Sequence, residues 1–363
     1  MKTNFNILLI LLLLSSTINS QQKKVTQKVI LITLDGLRWQ ELFSGADEKL
    51  ITNKKYVSNI KELKNKFWKE TEKERREKLF PFLWSTISQI GQIHGNRTLG
   101  SKMNLTNKHW FSYPGYNEIL TGSSDDAKIK SNDKIPNPNI TILEKANKNK
   151  AYKNKVLAVG SWDVFPFIIN ENRSGISVNA GYRPAKGGNL TEREKLLNSM
   201  QKSIPKEWKN VRFDAFTHYY ALEKIKKDHP NFIFISYGET DDYAHDGDYE
   251  KYLKSANNTD TMIKELWTLI NNDNFYKGNT TFIITTDHGR GTFPLDNWKS
   301  HGKNIEGSDE VWLIAFGNKI TPTGEFSKKE QLYTNQIAAT IAKILKLPID
   351  NKRIGKPLLL TKN

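Results

Sequence analysis

The 363-residue chain contains no cysteine. That single absence excludes disulfides, thiolate metal sites and a cysteine nucleophile. No apolar run is long enough to cross a bilayer, and Ile7–Leu14 is too short to do so. No internal repeat occurs. Acidic residues are in deficit, 39 against 55 Lys and Arg, which gives a formal charge of +16. Such a balance favours anionic partners without naming one. No helix-turn-helix, zinc-finger or aromatic RNA-binding signature accompanies it, so nucleic-acid-specific binding is not expected.

What is present starts with Met1–Ser20: a basic Lys2, the apolar run Ile7–Leu14, then small polar residues ending Ile18-Asn19-Ser20. This pattern reads as a secretory signal, leaving one catalytic domain over residues 21–363. Sequons at Asn96, Asn139 and Asn189 suit a glycosylated protein, but an Asn-rich chain produces them by chance. An exported domain of this size without a disulfide fits a bacterial periplasm or surface. The densest basic stretch, Lys54–Lys78, mixes Glu with Lys at helical spacings and reads as a solvated helix face.

Three apolar runs stop abruptly at acidic residues. Val29–Leu34 stops at Asp35-Gly36, Phe232–Ser236 before Gly238-Glu239-Thr240-Asp241, and Thr281–Thr286 at Asp287-His288-Gly289. Continuous runs of this length suit strands buried on both faces, as in a parallel sheet covered by helices. Helical stretches such as Glu192–Lys202 and Thr261–Asn271 lie between them, so the fold class is α/β. In such sheets ligands bind beyond the carboxyl ends of the strands, where each run places a carboxylate.

Asp241 and His245 are four apart, so one helical turn presents both on one face. Asp287 and His288 are adjacent past a strand end, and His301 sits in the glycine-flanked segment KSHGKN. With Asp35 the set is three carboxylates and three imidazoles, an N/O mixture that suits zinc first and manganese second. Taken singly, each has a dull explanation as a turn or a surface residue. The remaining histidines, His94, His109, His218 and His229, have no such company.

In order, the motifs are LDG with Asp35, Ser-x-Pro with Ser112, Asp-x-x-x-His with Asp241 and His245, DHG with Asp287 and His288, and a late HG with His301. This order closely resembles the alkaline phosphatase superfamily, in the branch containing nucleotide pyrophosphatase/phosphodiesterases and cofactor-independent phosphoglycerate mutases. The resemblance covers nearly all of the chain after the leader. It implies an alkaline phosphatase-like fold, with a central, mostly parallel sheet sandwiched by helices. It further implies two divalent ions, one on Asp241, His245 and His301 and the other on Asp35, Asp287 and His288, with Ser112 beside the latter as nucleophile. Two divalent ions and three carboxylates leave a charge of about +1, which attracts an anion and favours ionising a nearby hydroxyl. If Pro114 lies in the first turn of a helix, Ser112 sits at or near its N-cap, where backbone N–H groups favour phosphoryl oxygens. Helix position alone does not separate a capping serine from a nucleophile.

The implied reaction is hydrolysis of a small phosphate ester by two in-line displacements through phosphoserine. Family pockets often add an Asn for a non-bridging oxygen, and Asn132 and Asn137 lie at about the right remove after Ser112. Gly160–Gly175 offers Trp162, Phe165 and Phe167 as an apolar slot and Arg173 as a phosphate clamp. Arg38 is a further cation, equally suited to a structural ion pair. The leaning is to a monoesterase, with diesterase as the alternative. A sulfatase would carry Arg two residues after the Pro, where Tyr116 stands, and a mutase would need a long inserted domain. A non-catalytic anion-binding module would be expected to have lost a ligand or the nucleophile, and neither is lost.

Overall fold

The structure, a computed structural model, describes residues 26–349 and 354–360. The leader read at residues 1–20 lies outside the described residues. Among them no helix is long and apolar enough to cross a membrane.

Among the described residues there are eleven strands: β1 Lys28–Leu34, β2 Gly91–His94, β3 Ser101–Asn104, β4 Val156–Gly160, β5 Val178–Ala180, β6 Phe232–Tyr237, β7 Thr280–Thr285, β8 Glu310–Val311, β9 Leu313–Gly317, β10 Gly324–Glu325 and β11 Glu330–Tyr333. Eight form one sheet in the order β10-β2-β9-β7-β1-β6-β4-β5. Its centre is parallel, with β1 flanked by β7 and β6, whereas β9 runs antiparallel to β7 and β2. A small sheet, β11-β3-β8, had no counterpart in the sequence reading.

The central strands are apolar throughout because both faces are covered. Successive side chains of β1 alternate, so Val29 and Leu31 enter one core and Ile30 and Ile32 the other. The first core is closed by helices Ser112–Thr121 and Gln336–Leu345, which supply Ile119, Leu120, Ile337 and Ile341. The second is closed by Asp214–Asp228 and Tyr249–Asn272, through Leu222, Ile225, Leu253 and Ile263. This is the expected α/β sandwich.

The helix read at Glu192–Lys202 spans Glu192–Ser203 and starts at a Thr191/Glu194 capping box. The one read at Thr261–Asn271 is the last part of a 24-residue helix, Tyr249–Asn272, which opens at the Asp248 cap. The basic stretch Lys54–Lys78 is divided between helices Ile60–Phe67 and Glu72–Leu79, because a second capping box at Thr71/Glu74 starts a new helix.

The order β7-β1-β6 has one consequence for the site. Parallel neighbours end at the same edge, with Leu34 opposite Tyr237 and Thr33 opposite Thr285. The residues that follow, Asp35, Asp241 and Asp287, therefore come together.

Candidate active site

Asp35 leaves β1 with its N–H donating to Tyr237 O at 3.0 Å, so the strand pairing extends to the acid itself. Asp287 is fixed by Gly36 N, which donates to its Oδ1 at 3.1 Å. Asp241 and His245 share the short helix Glu239–His245, and His245 Nε2 lies 3.3 Å from Asp241 Oδ2. Ser112 is the first residue of the Ser112–Thr121 helix, one position inside its Phe111 cap, and Pro114 falls in the first turn. That helix can approach only because residue 115 is glycine: a Cβ there would stand 2.2 Å from the carbonyl oxygen of Asp287.

The side chains converge on His288. Its Nε2 lies 3.4 Å from Ser112 Oγ, 3.4 Å from Asp35 Oδ1, 3.6 Å from Asp287 Oδ2 and 3.6 Å from Asp241 Oδ1. His301 stacks on His288 with ring centroids 3.9 Å apart, and its Nε2 is 3.0 Å from His245 Nε2. The ring tautomers follow from the outer contacts. His288 Nδ1 faces Gly289 O at 2.9 Å and His301 Nδ1 faces Trp110 O at 3.3 Å; carbonyls only accept, so both Nδ1 atoms carry the proton. Both Nε2 lone pairs then point inward, the form in which imidazole binds a metal.

The carboxylates make the same demand. Asp35 Oδ1 and Asp287 Oδ2 are buried and have no hydrogen-bond partner. Burial, reinforced by the charge of Asp241, pushes the Asp35 carboxyl well above its usual range, and burial with the charge of Asp35 does the same to Asp287. Asp241 goes the other way: burial opposes its ionisation, but Arg290 and then His245 hold its carboxyl well below the usual range. Burial and the neighbouring His288 keep His301 well below the ordinary imidazole value, hence neutral. Unpartnered carboxyl oxygens, whose charged form burial disfavours until a cation is near, and inward lone pairs fit divalent cations. Two sets of ligand atoms are close enough to hold one each, Asp35 with Asp287 and His288, and Asp241 with His288 and His301. His245 adjoins the second.

A cavity of about 540 Å³ opens over this centre. Asp35, Ser112, Asp241, His245 and His301 form its floor, while Asn132, Lys134 and the apolar Trp162, Val164 and Val211 form its walls. Asn132 accepts a hydrogen bond from Tyr113 N at 2.9 Å through Oδ1, so its NH2 is what it can offer a ligand. Trp162 lines the cavity as expected, but Phe165 and Phe167 do not, and Phe165 is core.

Two expected binding residues are placed elsewhere. Asn137 is fully buried and donates to Asn117 Oδ1 and Ile168 O, both at 3.1 Å, which uses its amide in holding the chain together. Arg173 pairs with the buried Glu144 at 2.9 Å and donates to Asn137 O and Pro138 O, so it pins that loop and is no phosphate clamp. Arg38 is likewise buried against Glu41.

Three residues near the site were missed. Lys134 reaches the cavity and pairs with Asp163 at 2.6 Å. Tyr116 donates to Asp35 Oδ2 at 2.8 Å. Arg290 is buried and paired with Asp241 Oδ1. Only the place of Arg290 beside the DHG motif could have signalled it. The other histidines pair outside the site, His94 with Glu330, His109 with Asp126, His218 with Glu265 and His229 with Asp273.

Residues 178–349 match the family model described as Metalloenzyme superfamily. A 142-residue segment, 39% of the chain, is 30% identical to a 2,3-bisphosphoglycerate-independent phosphoglycerate mutase of Gracilaria tenuistipitata var. liui. A 151-residue segment is 27% identical to the mutase of Nostoc punctiforme. The chain spans 26% of the length of each of these relatives. Among solved structures, alkaline phosphatase PafA superposes with a TM-score of 0.59 at 11% identity, covering 93% of this chain and 99% of that one. Phosphonate monoester hydrolase of Agrobacterium radiobacter does so with a TM-score of 0.58 at 14% identity, covering 92% and 76%. The motif order and the family match over residues 178–349 resemble the alkaline phosphatase superfamily, and the chain shares the fold of these solved structures.

Proposed function

We propose that this chain is an exported two-metal phosphate ester hydrolase that works through a phosphoserine at Ser112 and prefers monoesters. One observation carries the reading. Ser112 Oγ shares a cavity floor with inward imidazole lone pairs and with Asp35, which like the adjacent Asp287 holds a buried, unpartnered carboxyl oxygen. We assign Asp35, Asp287 and His288 to one divalent ion and Asp241, His245 and His301 to the other, with Zn2+ favoured over Mn2+ by the N/O donor set. When bound, the two ions supply the positive charge that lowers the pKa of the serine hydroxyl and offsets charge on the departing oxygen.

Ser112 Oγ attacks phosphorus in line, its bond to phosphorus forming as the bond to the alcohol oxygen breaks. The proton that Ser112 Oγ gives up is matched by the one the alcohol oxygen takes as it leaves, so the step balances. Water then attacks the phosphoserine from the side opposite Oγ, releasing phosphate and returning the serine. The Asn132 NH2 and the Lys134 ammonium are the groups that take non-bridging oxygens, with Lys134 in the role first given to Arg173. A cation beside the phosphate favours a dianionic monoester.

A diesterase reading keeps its own support, because Trp162, Val164 and Val211 make an apolar wall that can receive a second ester group. The names of the similar proteins include a mutase, a phosphatase, a phosphonate monoester hydrolase and a sulfatase, so they favour phosphoryl or sulfuryl transfer and no one substrate. Export rests on the Met1–Ser20 pattern and the absence of cysteine.

The test is turnover of a chromogenic aryl phosphate monoester and the matching diester by zinc-loaded protein, with EDTA as control. Monoester preference is expected. Diester preference selects the second reading, and no metal-dependent turnover of either removes both.

A further inference from the structure

We infer that Arg290 makes one of the two ion positions the weaker, so that the ions load in order, first on Asp35, Asp287 and His288 and then on Asp241, His245 and His301. The inference rests on the two-metal reading above and concerns the binding of the ions rather than the reaction.

Arg290 has an unusual set of partners. Its guanidinium is fully buried. Nε donates to Gly36 O at 3.1 Å, Nη1 to Lys299 O at 2.7 Å and Nη2 to Asp241 O at 3.0 Å, and Nη2 also pairs with Asp241 Oδ1. One side chain, itself two residues past His288, thus holds the segments that carry Asp35, Asp241 and His301. The guanidinium brings one positive charge to this place.

The two positions differ in charge as a result. The deep one has two carboxylates, each with an unpartnered oxygen, and an imidazole, all buried. The outer one has a single carboxylate, already paired with Arg290, and two imidazoles, of which His245 has 46% of its side chain exposed. A divalent ion leaves the deep position about neutral, whereas the outer position with Arg290 carries about +2. The outer ion is therefore held less tightly and by more hydrated ligands. The same excess charge is what an oxyanion would offset, so an anion bound at the floor and the outer ion should strengthen each other reciprocally.

The experiment is calorimetric titration of metal-free, full-length protein with Zn2+, without substrate, in the absence and presence of inorganic phosphate. Two steps are expected, the second weaker by about tenfold or more. His245→Ala should remove the second step alone, Asp287→Asn should weaken the first, and phosphate should tighten the second. Arg290→Gln, which removes the charge, should narrow the gap about tenfold. Equal steps in the wild type, or loss of the tight step in His245→Ala, overturn the order. Equal weakening of both steps in Arg290→Gln makes the arginine only a brace and overturns its role. If that variant does not fold, Arg290→Lys, which keeps the charge and loses the fork, should preserve the gap; a lost gap there also overturns the role. Absence of zinc binding sinks the two-metal reading itself, whereas two ions in equal or reversed order sink only this inference.

Discussion

The phenol of Tyr116 donates to Asp35 Oδ2 at 2.8 Å from the helix that begins with Ser112, one turn after the serine. The phenol oxygen of Tyr116 also lies 3.0 Å from Ser236 Oγ, which in turn accepts from Thr33 Oγ1 at 2.8 Å. Asp35 therefore presents its free Oδ1 inward because Oδ2 is held from behind. Tyr116→Phe removes that support at almost constant volume. Zinc affinity should fall about 10- to 100-fold, read by chelator competition, with little change in the melting temperature of the metal-free protein.

Ser112→Ala separates an enzyme from a binding module. Turnover should fall about a thousandfold or more, while zinc stoichiometry and affinity for inorganic phosphate survive within about tenfold. Retained turnover of the purified variant would remove Ser112 from the chemistry.

Gly115→Ala tests the close approach of the serine helix to β7. Its new methyl would meet Asp287 O at 2.2 Å, and backbone cannot yield as a flexible side chain does. The expected cost is about 1–3 kcal/mol of stability, with loss of turnover at temperatures where the variant is still folded. Denaturant unfolding and activity on one preparation check both.

Lys134→Ala and Arg173→Ala divide the two cations by role. The first should raise KM for a monoester several-fold and leave stability unchanged, since Lys134 is half exposed. The second should leave KM unchanged and cost on the order of 2 kcal/mol, discounted for the partial exposure of Arg173, because Glu144 is buried. A KM effect in Arg173→Ala would restore it to the site.

Asp260 gives a pH signature outside the set of candidate metal ligands. Its oxygens accept from Phe82 N at 2.7 Å and Leu83 N at 2.9 Å, yet burial pushes its carboxyl from 3.8 up to about 6. Between those values the folded protein keeps a proton that the unfolded chain has lost. This group's contribution to stability is therefore full below pH 3.8 and is lost as pH rises to about 6, at up to ~1.4 kcal/mol per unit. Unfolding of wild type and Asp260→Asn across that range should show the smaller slope in the variant. Equal slopes would mean that the two N–H donors fully offset the burial.

Several features could be read without coordinates. β1, β6 and β7 appear in the sequence as unbroken apolar runs because both faces of each are covered, and a residue following a strand is tied covalently to its end. Asp35 and the pairs Asp241/His245 and Asp287/His288 were therefore legible with their elements. The first half of Tyr249–Asn272 was not, since its Ser, Asn and Thr residues have weak helix propensity and packing of Tyr252, Leu253 and Ala256 decides the matter.

What the sequence by itself determined is local: which residues end a strand, which share a helical turn, and that the ligands are nitrogen and oxygen. Only the tertiary structure decided that β7, β1 and β6 lie side by side, so that residues 35, 241 and 287 meet. It alone engaged Asn137 and Arg173 in structural bonds away from the cavity, brought Lys134 to the cavity and set Arg290 across the ligand segments. These are contacts between distant parts of the chain. They depend on strand order and on the approach of the packed helices, which no local spacing encodes.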